Sequence, residues 1–132
     1  LDESTVLGGR EQGFLRMLSL KIRTVLYLPG EKVIEKGHLC HTMFYIYRGS
    51  VEIHSPGGGA PKVQLEGEHF GEIPMILGLR SCVDVLAKTA CDMFVLERDD
   101  LQEVLSHYSH LDDVIRTAAE GKVAEACSDV DT

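Results

Sequence analysis

Between Pro29 and Glu97 the chain is cut into short pieces. Pro29-Gly30, Gly37, Gly49, the glycine run between Pro56 and Pro61, and Gly67 all mark turns. The runs between them are too short for ordinary helices and rich in β-branched and aromatic residues. Lys32 to Glu35 predicts one short strand, and "HTMFYIYRGSVEIHS" predicts two around a tight turn at Arg48-Gly49. "PGGGAP" (56–61) reads as a hairpin tip, "KVQLEGEHFGE" as a further strand and turn, and 82–88 and 91–97 as two more strands. Many short strands with frequent turns favour a closed or double-sheet antiparallel barrel over a parallel sheet.

The flanks follow another period. Phe14, Leu15, Leu18 and Ile22 recur at helical spacing and predict a helix over roughly 10–22. From Asp99 the period changes again, with Leu101, Val104, Leu105 and Tyr108 on one helical face and Asp99 or Asp100 as N-cap. A last helix, from Leu111 to about Cys127, is Ala-rich and interrupted by Gly121. The expected fold is α+β and mainly β: a short-stranded antiparallel β-roll or jelly roll with an N-terminal helix and two or more C-terminal helices. Residues 1–9 read as a flexible segment, 10–126 as the domain and 127–132 as a tail.

The chain has 132 residues, enough for a single core, and 44% of them are apolar. A formal charge of −8 disfavours nucleic acid and anionic membranes as partners, because both are polyanions that require a basic face. No apolar run approaches the roughly 20 residues of a membrane span, and the polar, acidic opening is not a signal peptide. Acidic, small-residue stretches at both ends suggest a part of a longer chain. Cys40, Cys82, Cys91 and Cys127 form no C-x-x-C pair, so they read as free thiols in a reducing compartment.

Four stretches together resemble the cyclic-nucleotide-binding domain superfamily: "LPGEKVIEKG", "MFYIYRGSVEI", "HFGEI" and "VLAKTACDMFVLERDDLQEVL". The resemblance covers roughly residues 10–125. "GFLRMLSLKIRT", "YRGSVEI" and "CDMFVLERDDLQEVLSHY" are most similar to the cytoplasmic domains of the ether-à-go-go, hyperpolarization-activated and cyclic-nucleotide-gated cation channels. It implies a domain on the cytoplasmic side of a larger membrane protein, contacting neighbouring domains or subunits, without direct membrane contact or a required cofactor. cAMP or cGMP is the implied ligand.

The resemblance also assigns pocket residues. Phe70, Gly71, Glu72 and Ile73 open the phosphate cassette, with Gly71 permitting close backbone approach and Glu72 accepting from the ribose hydroxyl. Without the resemblance, Gly71 is a turn glycine and Glu72 a capping carboxylate on "IPMIL". A cyclic phosphate asks for converging N–H donors, best including a bidentate arginine. Here Pro74 lacks an N–H where the family usually offers one. Ser81, nine residues after Glu72, occupies the usual arginine position. Arg80 is one residue early, which on a strand sends it to the opposite face unless the chain bulges. Cys82 can offer only a backbone N–H and a weak thiol donor. Lys122, Val123 and Ala126 fall where channel members close a lid over the base; Lys122 alone reads equally as a solvated helix residue.

Ether-à-go-go members resemble this chain at "RSCVDV" and generally do not use cyclic nucleotides, a short "FNL"-like strand of their own filling the pocket. "AEACSDVDT" offers no such strand. The expectation is therefore a regulatory domain with a partly degenerate pocket, binding cAMP and cGMP weakly or not at all. The alternative is a working sensor using Arg80 or the Cys82 backbone. A third class, a metal-dependent barrel enzyme built on "HLCH" (38–41) with His54 or His69, matches no ligand spacing, and no nucleophile has the local context of catalysis.

Overall fold

The computed structural model describes residues 5–127. Helix α1 (Gln12–Ser19) leads into eight strands: β1 (Arg23–Tyr27), β2 (Lys32–Ile34), β3 (Thr42–Arg48), β4 (Val51–His54), β5 (Lys62–Gln64), β6 (His69–Phe70), β7 (Asp84–Ala87) and β8 (Cys91–Glu97). A short helix, α2 (Glu72–Leu77), separates β6 from β7. Helix α3 (Arg98–Leu105), a 3-10 turn (Ser109–Leu111) and helix α4 (Asp112–Cys127) complete the order.

The strands form two four-stranded antiparallel sheets, ordered β1-β8-β3-β6 and β2-β7-β4-β5. Neighbours in each sheet are mostly distant in sequence, which makes this a jelly roll rather than a meander. The roll with its flanking helices is the expected fold. Two details differ. The first helix is shorter than 10–22, and Arg23–Tyr27 leaves it as β1, paired along its length with β8. Helix α3 begins at Arg98, placing Asp99 and Asp100 in its first turn rather than at its cap. The cap residue is Glu97, whose carboxylate instead accepts from Arg23 Nη2 at 2.9 Å and Thr42 Oγ1 at 3.0 Å.

Two cores share β3 and β8. Strand side chains alternate between faces, so Phe44, Ile46, Met93 and Val95 point into the roll, beside Val51, Phe70, Val85, Ala87 and Cys91. Met43 and Leu96 point outward, into a second core against the helices. That core holds Phe14 and Leu18 of α1, Met75 and Ile76 of α2, Leu101 and Val104 of α3, and Ile115 and Ala119 of α4.

The helical core also takes in Val6 and Leu7, so the expected flexible segment is corrected for the part described. Thr5, Val6 and Leu7 are all buried, Leu7 with 0% of its surface exposed. The reason is local. Thr5 closes a turn in which its Oγ1 accepts the Leu7 N–H at 3.2 Å and the Gly8 N–H at 2.9 Å. The turn drives Leu7 inward. We refer to residues 5–7 as the strap.

Candidate functional site: the loop-and-helix cassette after β6

β6 ends in Phe70, which stacks on Phe44 of β3 with ring centroids 5.0 Å apart. Gly71 then turns the chain at φ +79°, a conformation that favours glycine. A Cβ at this position would lie 2.9 Å from the Thr42 carbonyl oxygen. Only a bare backbone passes here. Glu72 opens α2 in the next step, Ile73 packs at the edge of the helical core, and Pro74 lies within the first turn, where its missing N–H costs the helix nothing.

The resemblance makes Glu72 an acceptor for the ribose hydroxyl. Its carboxylate is instead turned to the strap. Oε2 accepts the Val6 N–H at 3.1 Å, the Thr5 hydroxyl donates to the same carboxylate, and only 4% of the residue is exposed. The His69 ring and the Lys122 ammonium stand near enough to act on its charge. Burial pushes the carboxyl above its ordinary range; His69, the Val6 amide, the Thr5 hydroxyl and Lys122 pull it back.

The sign of this shift gives a test. A carboxyl raised in the folded state binds more protons folded than unfolded just above its ordinary value of 4.5. Its stabilising contribution is present below that value and is lost as pH rises through the folded pKa. Asp84 and Glu103 are shifted downward, chiefly by the Lys36 backbone N–H and by Lys21 respectively, and act in the opposite direction at lower pH. Glu72→Gln is therefore expected to recover stability toward neutral pH relative to mildly acidic pH. Urea midpoints for both proteins across that range check it; parallel curves would refute the assignment.

The segment after α2 holds the expected phosphate contacts, and here the geometry is explicit. Leu39 and Arg80 form an antiparallel bridge. The Ser81 N–H donates to His38 O at 2.9 Å, and Ser81 O accepts the Gly37 N–H at 2.8 Å. No bulge turns Arg80 inward. Its side chain is exposed, and Nη1 donates to Gly37 O at 3.0 Å. The inward position belongs to Ser81, 7% exposed. Its hydroxyl donates to Val83 O at 2.7 Å and accepts the Val83 N–H at 3.1 Å. The Cys82 side chain is exposed, and its thiol is free, like those of buried Cys40 and Cys91.

A cavity of about 180 Å³ lies beside this ladder, walled by Ile34, Leu39, Cys40, His41, Thr42 and Phe44 among others. Ile34, Thr42 and Phe44 also crowd Gly71, so the cavity and the cassette are adjacent. Ser81 lies close enough to Cys40, one of these walls, to act on its thiol, but is not itself among the walls. Neither Gly71 nor Glu72 is among its walls. Small-molecule sites usually measure about 300–1,000 Å³; a nucleotide would require the walls to part. On the lid side, α4 packs on α2, with Lys122 exposed and Val123 half-buried. The Ala126 side chain lies outside the described residues. Among the described residues, no cluster of three or more His, Cys, Asp or Glu is placed to hold a metal ion.

Sequence reasoning brought Gly71, Glu72, Arg80 and Ser81 into one neighbourhood but missed Thr5, Val6 and His69. The opening residues looked like a polar tail, and no periodicity marks a strap of three.

A two-sheet roll, broken by one short helix and covered by C-terminal helices, has the architecture of a cyclic-nucleotide-binding domain. The family model described as "Cyclic nucleotide-binding domain" matches residues 24–108, and the chain belongs to this family. Its relatives include channels. It is 34% identical over 111 residues to the potassium voltage-gated channel unc-103 of Caenorhabditis elegans, covering 82% of this chain and 13% of that one. It is 34% identical over 104 residues to cyclic nucleotide-gated channel beta-1 of Homo sapiens, covering 75% and 8%. It is 37% identical over 108 residues to the voltage-gated inwardly rectifying potassium channel KCNH2 of Sus scrofa, covering 80% and 9%. The chain thus spans about a tenth of the length of these relatives. The fold matches the C-linker/CNBHD of zELK channels, crystallized in the presence of cAMP, with a TM-score of 0.72 at 24% identity over 86% of this chain and 58% of that one.

Proposed function

We propose that this domain is a regulatory module on the cytoplasmic side of a cation channel or related transporter, and that its nucleotide site is reduced to weak or negligible affinity. The observation that carries the second part is Ser81. At the position where the family usually places its phosphate arginine, a short hydroxyl closes on the Val83 backbone while Arg80 faces outward onto Gly37. Two donors are lost, the arginine and the N–H absent from Pro74. Charge-assisted and neutral hydrogen bonds of these kinds contribute roughly 1.5–3 and 0.5–1.5 kcal/mol. Together they weaken binding by a factor on the order of 30 to 2,000.

The channel context is supported by the relatives, and by a packing that suits regulation. α4 rests on α2, so anything that moves the cassette moves the C-terminal helix with it. No helix among the described residues is long and apolar enough to cross a membrane. A ligand or neighbouring subunit would bias such a module only through its differential affinity for two arrangements of these helices. Calorimetric titration with cAMP and cGMP tests the reading. Dissociation constants in the high-micromolar to millimolar range, or no heat, are expected. Low-micromolar binding would overturn it and favour a working sensor.

A further inference from the structure

Three elements meet at the Glu72 carboxylate. The strap contributes the Val6 N–H and the Thr5 hydroxyl, β6 contributes the His69 ring and α4 contributes Lys122. The strap donors are held in place rather than merely nearby. Thr5 Oγ1 accepts the Leu7 and Gly8 N–H groups, which fixes the hydroxyl beside the Glu72 carboxylate it hydrogen-bonds. The Val6 carbonyl in turn accepts from Arg10 Nε at 3.0 Å. Leu7 is fully buried in the same core that holds Met75 and Ile76 of α2.

We propose that the strap is a built-in competitor at the cassette glutamate. Its Val6 N–H and Thr5 hydroxyl draw on the carboxylate that a ribose hydroxyl would use, so strap docking and ribose binding oppose one another. The proposal rests on the cyclic-nucleotide reading of the pocket. It adds a direction of control: whatever precedes the domain in a longer chain can free or cover Glu72 by pulling or releasing three residues. Apparent affinity then scales with the fraction of molecules whose strap is open.

The test is Thr5→Val, which keeps the shape and removes the hydroxyl, with Thr5→Ser as the variant that restores it. Both are titrated calorimetrically with cAMP, cGMP and their 2′-deoxy analogues, after thermal melts establish folding. Thr5→Val is expected to bind the ribonucleotides about tenfold more tightly than the wild type. Thr5→Ser should return to the wild-type value, and the 2′-deoxy analogues should gain nothing. Affinities within twofold of wild type in Thr5→Val overturn the proposal, even where neither protein binds, as does an equal gain for the 2′-deoxy analogues. A second readout leaves the strap intact: hydrogen exchange of the Val6 amide in the Ser81→Arg variant should accelerate at the highest cAMP concentration reached. An unchanged rate overturns competition. Failure of the pocket reading is seen separately, as Ser81→Arg leaving affinity unchanged.

Discussion

Ser81→Arg is expected to raise the affinity for cAMP and cGMP by roughly tenfold to a hundredfold, the equivalent of one restored charge-assisted contact. The geometry favours the gain. Ser81 is buried on the inward face of its ladder and lies near Cys40, which walls the cavity beside Gly71. A longer side chain at 81 therefore enters that cavity, while one at 80 cannot without a bulge. The substitution also breaks the paired hydrogen bonds between Ser81 and Val83, so thermal melts should fall slightly even as affinity rises. Calorimetry of the variant beside Arg80→Ala decides the register. A loss of binding in Arg80→Ala comparable in size would show that the outer arginine serves the phosphate after all.

Leu7→Ala is expected to destabilise the domain by about 2–5 kcal/mol, the usual range for a buried leucine truncated in a packed core. Domain stabilities are commonly about 5–15 kcal/mol, so this single change removes a large share. Leu20 gives the control. It is 80% exposed just beyond α1, and Leu20→Ala should fall within about 0.5 kcal/mol of wild type. Guanidinium midpoints of the two variants separate a strap that belongs to the fold from a tail laid over it. Equal midpoints would refute the burial of Leu7.

The β-roll was legible because its signals are local. Short apolar runs, glycine turns and a change of period at the start of α3 each occupy a few adjacent residues. β1 was hidden because Arg23, Thr24 and Leu26 of its five residues are exposed and its partner β8 lies about seventy residues away, so nothing local announces the pairing. The strap was hidden for a related reason. "TVLGG" has no period, and the core that buries Leu7 is assembled from residues far away along the chain. At the cassette, residue types and spacing pointed to Glu72 and Ser81, and alternation set Ser81, which is buried, against Arg80, which is exposed. Direction was the missing information for Glu72. A glycine at φ +79° sets where the following carboxylate points, and a sequence does not carry that angle. The cap expected at Asp99 or Asp100 was displaced because α3 starts at Arg98, directly after β8, and Glu97 at the cap position is engaged by Arg23 and Thr42.

The sharing of β3 and β8 has a mechanical meaning. Met43 and Phe44 are neighbours on one strand yet face different cores, as do Val95 and Leu96 on its partner. The two strands are thus a common wall between two rooms. A push on the helical side displaces Met43 or Leu96, and the backbone that carries them also carries the side chains filling the roll. Close-packed interiors resist compression and pass strain onward. Strain can thus pass through the thickness of one sheet, between neighbouring residues of a single strand.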